Sequence, residues 1–461
     1  MKNIIFLIIL TVILLPSCKF TEDKNVSPNS PTKVTESLLL TNSEITLYSL
    51  YGSNLARMGA LWTQQVGVSD GSSQFVGYDV YTIDETVAEN EWTTIYSDAI
   101  KDLDDLIDMA TSKGDPYYIG MAKVLKAMAL GIATDTWGDV PCSQAAKGLE
   151  FINPKYDPQQ AVYQDIIRFL KEAIVHFEAA EADNVLLPGS DDVVFGGDVA
   201  KWTAAARMLI VRYENHLSKK DPTGSASKVL AQIDLLGTDL SASNDMIANF
   251  GTNASNANFW YQFESQRGYL AANSFMANLL DSLSDPRVDV YYDVERDTAT
   301  GAVIAADPGD ANPGASRIGS FFLQPNSPMP LVTAYETFFN EAEAALRAGN
   351  AARAATAYSN GIQASLSAVG VTGSAAANYL TAQARNASTI TIKDIMLQKY
   401  IAMYLHIETW TDYRRTGYPQ ITPSVTSRAV PRRLPTTQAE RLNNQNAVVI
   451  SNPKTPVWWD L

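Results

Sequence analysis

Residues 331–369 read LVTAYETFFNEAEAALRAGNAARAATAYSNGIQASLSAV, two apolar-periodic stretches on either side of Gly349-Asn350. Counting back from Gly349 finds Ala342 and Phe338, and counting forward finds Ala354, Tyr358 and Gly361. A bulky residue, a small one, a glycine turn, then small, aromatic and small again predict two helices that approach closely through their small side chains. One such hairpin cannot bury its own apolar face, so partner helices must lie elsewhere in the chain.

Helical periodicity predicts those partners at 96–113, 116–134, 158–180, 198–218 and 390–410. Asp115-Pro116 places a cap before a proline whose missing N–H costs nothing at the first helical position. Asp157-Pro158 repeats the device, with Gln160 three residues after the cap. Ile166, Phe169, Leu170, Ala173, Ile174 and Phe177 then form a stripe, and Asp198 opens a helix whose buried side carries Trp202, Ala205, Ala206, Leu209 and Tyr213. The spacing around Gly349 matches one tetratricopeptide unit of roughly 34 residues. The expected fold class is therefore all-α, a tetratricopeptide-like scaffold of helical hairpins with long irregular insertions. Those insertions are 59–95 and 238–330, rich in Gly, Asn, Ser, Asp, Pro and aromatics and without sustained helical period. Irregular excursions on a rigid scaffold are where binding residues usually sit. The proline-rich tail, 418–461, is expected to pack back on the body through Trp458-Trp459.

At 461 residues the chain admits one large domain or two intertwined halves. Hydrophobic residues at 46% against charged residues at 18% mark a globular chain rather than a disordered one. A net charge of −15 repels phosphate backbones and argues against a nucleic-acid partner. The adjacent pairs Arg414-Arg415 and Arg432-Arg433 read as structural ion-pair donors. At the N-terminus, Lys2 precedes an apolar run at 4–15 that ends in Leu15-Pro16-Ser17-Cys18. That run is too short to span a bilayer and reads as a lipoprotein signal peptide at 1–17, with lipidation of Cys18. Each buried methylene of an acyl chain contributes about 0.8 kcal/mol, so several chains make a durable anchor. A plain secretory signal with a chance cysteine is the alternative. Residues 18–36 then form a flexible tether and 37–461 a single domain. Cys18 and Cys142 are the only cysteines, so lipidation leaves no intramolecular disulfide.

Several stretches resemble the SusD/RagB family, in the family's order. Ala122-Lys-Val-Leu-Lys-Ala-Met-Ala-Leu-Gly131, running to Thr136-Trp137-Gly138-Asp139-Val140-Pro141, resembles its helix and following Gly-Asp-[IV]-Pro loop. Tyr163-Gln-Asp165-Ile-Ile resembles the paired helix, and Ser284-Asp285-Pro286-Arg287 the short Asp-Pro-Arg turn. Gln398-Lys399-Tyr400 through Glu408, Trp410, Asp412, Arg414 and Arg415 resembles the helix that closes the scaffold. Pro431-Arg432-Arg433-Leu434-Pro435, with Glu440 and Asn443, resembles the closing loop, and Ser327-Pro328-Met329-Pro330-Leu331 marks a subgroup. The resemblance spans roughly residues 40–461. It implies a surface-exposed outer-membrane lipoprotein that binds a glycan or a peptide and hands it to a TonB-dependent β-barrel transporter, SusC-like, without catalysis and without a cofactor.

Capture of a sugar or peptide needs flat apolar faces and a few directional polar groups. Two clusters offer them: Trp62, Phe75, Tyr78 and Tyr81, and Phe259, Trp260, Tyr261, Arg267 and Tyr269. Either cluster is equally readable as satellite core under long loops, and Tyr291-Tyr292 is a poorer third. A tetratricopeptide adaptor that binds only protein is a rival of another class. So is a glycosidase, which needs two carboxyls about 5 to 10 Å apart across a cleft; Asp79, Asp84, Glu85, Glu264 and Asp293 occur in the loop segments. Gly67-Val68-Ser69-Asp70-Gly71 fits the nucleophile-elbow pattern, but residues 55–66 read as helix where that motif needs a strand. His176, His216 and His406 show no metal-ligand spacing, so no metal site is expected. Glu408, Asp412, Arg414 and Arg415 are expected to form an ion-pair network.

Overall fold

The computed structural model describes residues 34–461 apart from Thr426 and Ser427. The expected leader and Cys18 lie outside the described residues. Helices α1 (Glu36–Tyr51) and α2 (Asn54–Trp62) open the fold, capped by the hydroxyls of Thr35 and Ser53. Strand β1 (Val66–Val68) and the short helices α3 (Phe75–Asp79) and α4 (Glu89–Thr93) follow. A π-helical stretch, Thr94–Ile100, leads into α5 (Lys101–Lys113). The body continues with α6 (Pro116–Trp137), α7 (Gln159–Phe177), α8 (Val199–His216) and α9 (Pro222–Leu236). The second excursion holds β2 (Met246–Ala248), α10 (Phe259–Arg267), β3 (Leu270–Ala272), α11 (Ser274–Ser282) and α12 (Val288–Tyr291). It ends with β4 (Tyr292–Asp293), β5 (Arg317–Ile318) and β6 (Met329–Val332). The hairpin α13 (Ala334–Arg347) and α14 (Ala351–Ala368) comes next, then α15 (Gly373–Gln383), α16 (Ile392–Ala402), α17 (Glu408–Thr416) and α18 (Gln438–Asn443).

Consecutive helices pack side by side from α5 through α9; α9 packs on α13, and α13 lies between α14 and α16. This is the expected all-α scaffold of stacked hairpins, with only short strands among the described residues. None of the described helices is long and apolar enough to cross a membrane. Gly349 adopts φ 79°, the left-handed turn that glycine enters without steric cost. Phe339, not the Phe338 picked out by counting, fills the hairpin: a Cβ on Gly361 would sit 2.9 Å from its Cζ. Phe338 is one position round the helix and packs, partly buried, against the main core.

Three other expectations need correction. The helix expected over 390–410 breaks into α16 and α17, with Leu405 at φ 63° between them. Gln65, fully buried and from the far end of the sequence, takes up the freed backbone: it donates to Tyr400 O and Met403 O and accepts from Leu405 N at 2.9 Å. Asp157 does not cap α7; its carboxylate accepts from the amides of Cys142 and Ser143, while Asp139 accepts from Gln159 N at 2.8 Å. Asp115 likewise spends its side chain on Leu186 N rather than on its own helix. Asp198 caps α8 as expected, accepting from Ala200 N and Lys201 N.

Of the charges on α17, Glu408, Asp412 and Arg415 form the expected ion-pair network inside the scaffold. Arg414 instead donates to the carbonyls of Asp135 and Arg432, lies over Trp410 and makes no ion pair among the described residues. Of the second pair, Arg432 meets Asp460, and Arg433 meets no carboxylate among the described residues. Arg415 pairs with Glu343 and Asp412, Lys399 with Asp412 at 2.7 Å, and Arg212 with Glu336 at 2.5 Å. Burial disfavours a charged His216, but Glu408 and Asp135 beside it hold its pKa up at about 9. Ligand atoms of Asp135, His216 and Glu408 lie within 4.8 Å of one another, a spacing open to a metal ion. Both imidazole nitrogens face carboxylates, Glu408 at 3.0 Å and Asp135 at 3.3 Å, so the protonated ring is their counterion. The tail packs back as expected, with Trp459 fully buried and its Nε1 donating to Asp135 at 2.9 Å.

Candidate ligand-binding site

Strands β1 and β3 pair antiparallel, Val66 opposite Ala272 and Val68 opposite Leu270, in a four-stranded sheet ordered β1-β3-β5-β4. The pairing sets the chain leaving β1 beside the chain entering β3, roughly two hundred residues away in sequence. Ser69 extends it, its N–H donating to Tyr269 O and its hydroxyl to Gly268 O. Gly268 at φ 61° ends α10 and turns the chain into β3. At the other end of α10, the Asn258 side chain accepts from Trp260 N and Tyr261 N, fixing where the helix starts. The two aromatic clusters read from the sequence therefore meet. The Phe75 ring lies 5.3 Å from Tyr78, 5.5 Å from Phe263 and 6.2 Å from Tyr269, centroid to centroid.

Where they meet, Arg57, Gln74, Phe259, Gln262, Phe263, Gln266, Arg267 and Tyr269 line a cavity of about 340 Å³. Residues 259, 262, 263 and 266 follow the 3, 4, 7 spacing of one helix face, so α10 supplies a whole wall. Of the residues singled out in the sequence, Phe259, Arg267 and Tyr269 line the cavity. Tyr78 and Tyr261 are half-buried and do not line it. Trp62, Phe75, Tyr81 and Trp260 are buried and give no face to a ligand. Trp62 packs edge-on against Trp410 at 4.9 Å, its indole N–H donating to Tyr78 O. Tyr81 accepts from Ser424 N, and Trp260 lies beneath Arg57. Reading the residues in order did not single out Arg57, which sits inside α2, nor the carboxamides of Gln74, Gln262 and Gln266. The helical spacing from Phe259 to Gln266 was the signal available for the last two.

Arg57 is only 8% exposed, and its guanidinium lies 3.9 Å from the centre of the Phe263 ring. It donates to Gly52 O at 2.8 Å and Phe259 O at 3.4 Å. Burial pulls its pKa down to about 10, with Glu264 and Glu91 opposing. Burial also pushes Glu264 up to about 7, although Leu270 N and Arg317 favour its charged form. Arg267, exposed at the rim, lies 6.0 Å from the Tyr269 ring.

The loop acids considered for catalysis have other tasks. Asp79, pushed up to about 6 by burial, accepts from Gly309 N and Ser424 Oγ. Asp84 accepts from Thr86, Glu85 pairs with Arg441, and Asp293 accepts from Ser320 N. The helix expected over 55–66 is present as α2 but ends at Trp62, and strand β1 then precedes Ser69, yet the Ser69 hydroxyl donates to Gly268 O and accepts from Arg317 at 3.0 Å. No histidine lies in that arrangement to act as its base. A larger cleft, about 590 Å³, runs between α7, α8 and α9. It carries Trp458 and Tyr163 among lysines and acids, with Lys228 paired to Glu214 at 3.1 Å, and lacks the converging ring faces of the first cavity.

A family model described as "Starch-binding associating with outer membrane", of SusD-like proteins, matches residues 28–436. The chain belongs to the SusD-like family. Solved structures agree in fold. A chitin-binding protein superposes with TM-score 0.77 at 22% identity, covering 93% of this chain and 100% of that one. A chitin-binding SusD homolog from Flavobacterium johnsoniae gives TM-score 0.77 at 21% identity, covering 92% and 98%. A SusD-like protein from Bacteroides thetaiotaomicron gives 0.77 at 23%, also covering 92% and 98%. No curated protein sequence matches the chain.

In this SusD-like protein the motifs behind the resemblance are joints of the scaffold. Asp139 of the Gly138–Pro141 loop holds the start of α7. Arg287 and Asp285 of the Asp-Pro-Arg turn form a fully buried pair at 2.6 Å, and Arg287 also donates to Gln398 on α16. Leu434 N donates to Thr136 O, tying the closing loop to the end of α6. None of these residues lines the cavity.

Proposed function

We propose that this SusD-like protein binds a glycan in the cavity between α2, α3 and α10, at the cell surface, and passes it unaltered to a TonB-dependent β-barrel transporter. One observation carries the reading: the rings of Phe259, Phe263 and Tyr269 and the carboxamides of Gln74, Gln262 and Gln266 share a single open cavity. Sugar C–H faces stack on aromatic rings, and amides, which both donate and accept, match hydroxyl groups. The family description and the chitin-binding names of two structural neighbours support a glycan over a peptide. The lining holds no carboxylate, whereas glycoside hydrolysis needs a pair. The Leu15-Pro16-Ser17-Cys18 sequence, read as a lipidation signal, and the outer-membrane association in the family description support the location.

Calorimetry of the purified chain against a panel of oligosaccharides and peptides tests the reading. An oligosaccharide binds, chromatography detects no product, and Tyr269→Ala weakens binding about tenfold, equivalent to about 1.4 kcal/mol. Binding of peptides alone, released sugar products, or unchanged affinity in Tyr269→Ala would each defeat it.

A further inference from the structure

The rings and amides of the cavity suit any glycan, but its charged groups do not. Two guanidiniums, Arg57 and Arg267, line it, and no acidic side chain does. The chain as a whole carries a net charge of −15, so a wall with only cationic charges stands against the background. Among the described residues neither arginine makes an ion pair. Glu264, which lies behind the wall, is held by Arg317 at 3.3 Å and by Leu270 N at 3.3 Å. Glu91 accepts from Asn54 N at 3.2 Å.

Arg57 is the more telling of the two. It is more than nine-tenths buried, its Nη2 is committed to two backbone carbonyls, and its Nε meets no hydrogen-bond partner among the described residues. A buried, unpaired donor on a cation costs free energy unless a ligand supplies the acceptor. The Phe263 ring beneath it, at 3.9 Å, holds the guanidinium plane in place. Arg267 at the rim is exposed and lies over the Tyr269 ring. A fixed, desolvated guanidinium in the wall and an exposed one at the mouth of the same cavity suit a carboxylate or a sulfate ester, for which arginine is the preferred partner.

Resting on the glycan reading, we infer that the cavity selects an acidic glycan, one whose sugars carry carboxylate or sulfate groups, with Arg57 and Arg267 reading the charge. Phe259, Phe263 and Tyr269 stack on the ring that bears it. The carboxamides then serve the neutral hydroxyls.

The test compares matched pairs by calorimetry on the purified chain. Short oligomers of galacturonate, mannuronate and glucuronate-bearing xylan are set beside the same oligomers with carboxylates reduced to alcohols. Sulfated oligosaccharides are set beside their desulfated forms, which separates the two sources of charge. At least one acidic member binds about tenfold or more tightly than its neutral twin, and added salt erodes the gap. Arg267→Glu, a change at the exposed rim, removes the preference: affinity for the acidic member falls about tenfold or more beyond any change in affinity for its neutral twin. Arg57→Lys keeps a charge but loses the planar guanidinium, and lowers acidic binding more than neutral binding. Equal binding within every pair, or an acidic preference untouched by Arg267→Glu, overturns the inference. If only neutral glycans outside the pairs bind, in a Tyr269-dependent way, the inference falls and the glycan reading stands; if no glycan binds, both fall.

Discussion

Helix α13 and helix α10 each present a phenylalanine to a small space, and the two spaces have opposite fates. Phe339 on α13 closes against Gly361 of its partner helix and Tyr358, centroids 6.5 Å apart, and is fully buried. Phe263 on α10 has Arg57 on one face and Phe75 and Tyr269 edge-on beside it, is only partly buried, and lines the cavity. The difference is what the neighbouring helix offers. A glycine opposite a ring lets two backbones approach until nothing else fits, whereas a long charged side chain holds them apart.

The scaffold is most vulnerable at its ion network. Arg415→Ala leaves Glu343 and Asp412 buried and short of a cation, and lowers stability by about 3 to 5 kcal/mol. A urea midpoint indistinguishable from the parent chain would show that the network is not a joint of the scaffold. Next in size is Gly361→Ala, whose new methyl would stand 2.9 Å from Phe339 Cζ. The hairpin loses about 1 to 3 kcal/mol from overpacking, read in the same midpoint, while ligand binding at the distant cavity is unaffected.

A smaller effect sharpens the cavity side. Burial raises the Glu264 carboxyl to about 7 in the folded chain, from an ordinary value near 4.5. The folded state therefore holds this proton over a range in which the unfolded state has released it. Its stabilising effect is complete below the unfolded value and is lost as pH rises through about 7. His216, held up at about 9, loses its contribution in the same direction over a higher range. Glu264→Gln flattens the fall in urea midpoint between pH 5 and 8 by an amount on the order of 1 kcal/mol, leaving the His216 part in place. An unchanged slope would mean that Glu264 is ionised throughout that window.

The choice of Trp62 and Trp260 as binding residues shows how composition misleads. Large rings stabilise most when buried, so the biggest aromatic in a loop-rich stretch is a strong candidate for core as well as for binding. Here both tryptophans became core, and half-buried Tyr269 and Phe263 kept a face to the cavity. The 390–410 stretch failed for a related reason. Its helical period is unbroken, and only Gln65, more than three hundred residues earlier, makes the break affordable by hydrogen-bonding the released backbone.

Local order decided what could be read directly. Gly349-Asn350 between two apolar periods, the Asp198 cap and the spacing of small residues along the helices specify hairpins, because turn geometry and helix faces depend on neighbours a few residues away. The family motifs were equally legible, and they turned out to be the joints that set those hairpins against one another. The cavity is different in kind. It exists because β1 and β3 pair across some two hundred residues and bring Arg57 and Gln74 against one face of α10. Which rings end up inside and which arginines stay unpaired is settled by that long-range packing, and no local pattern in the chain encodes it.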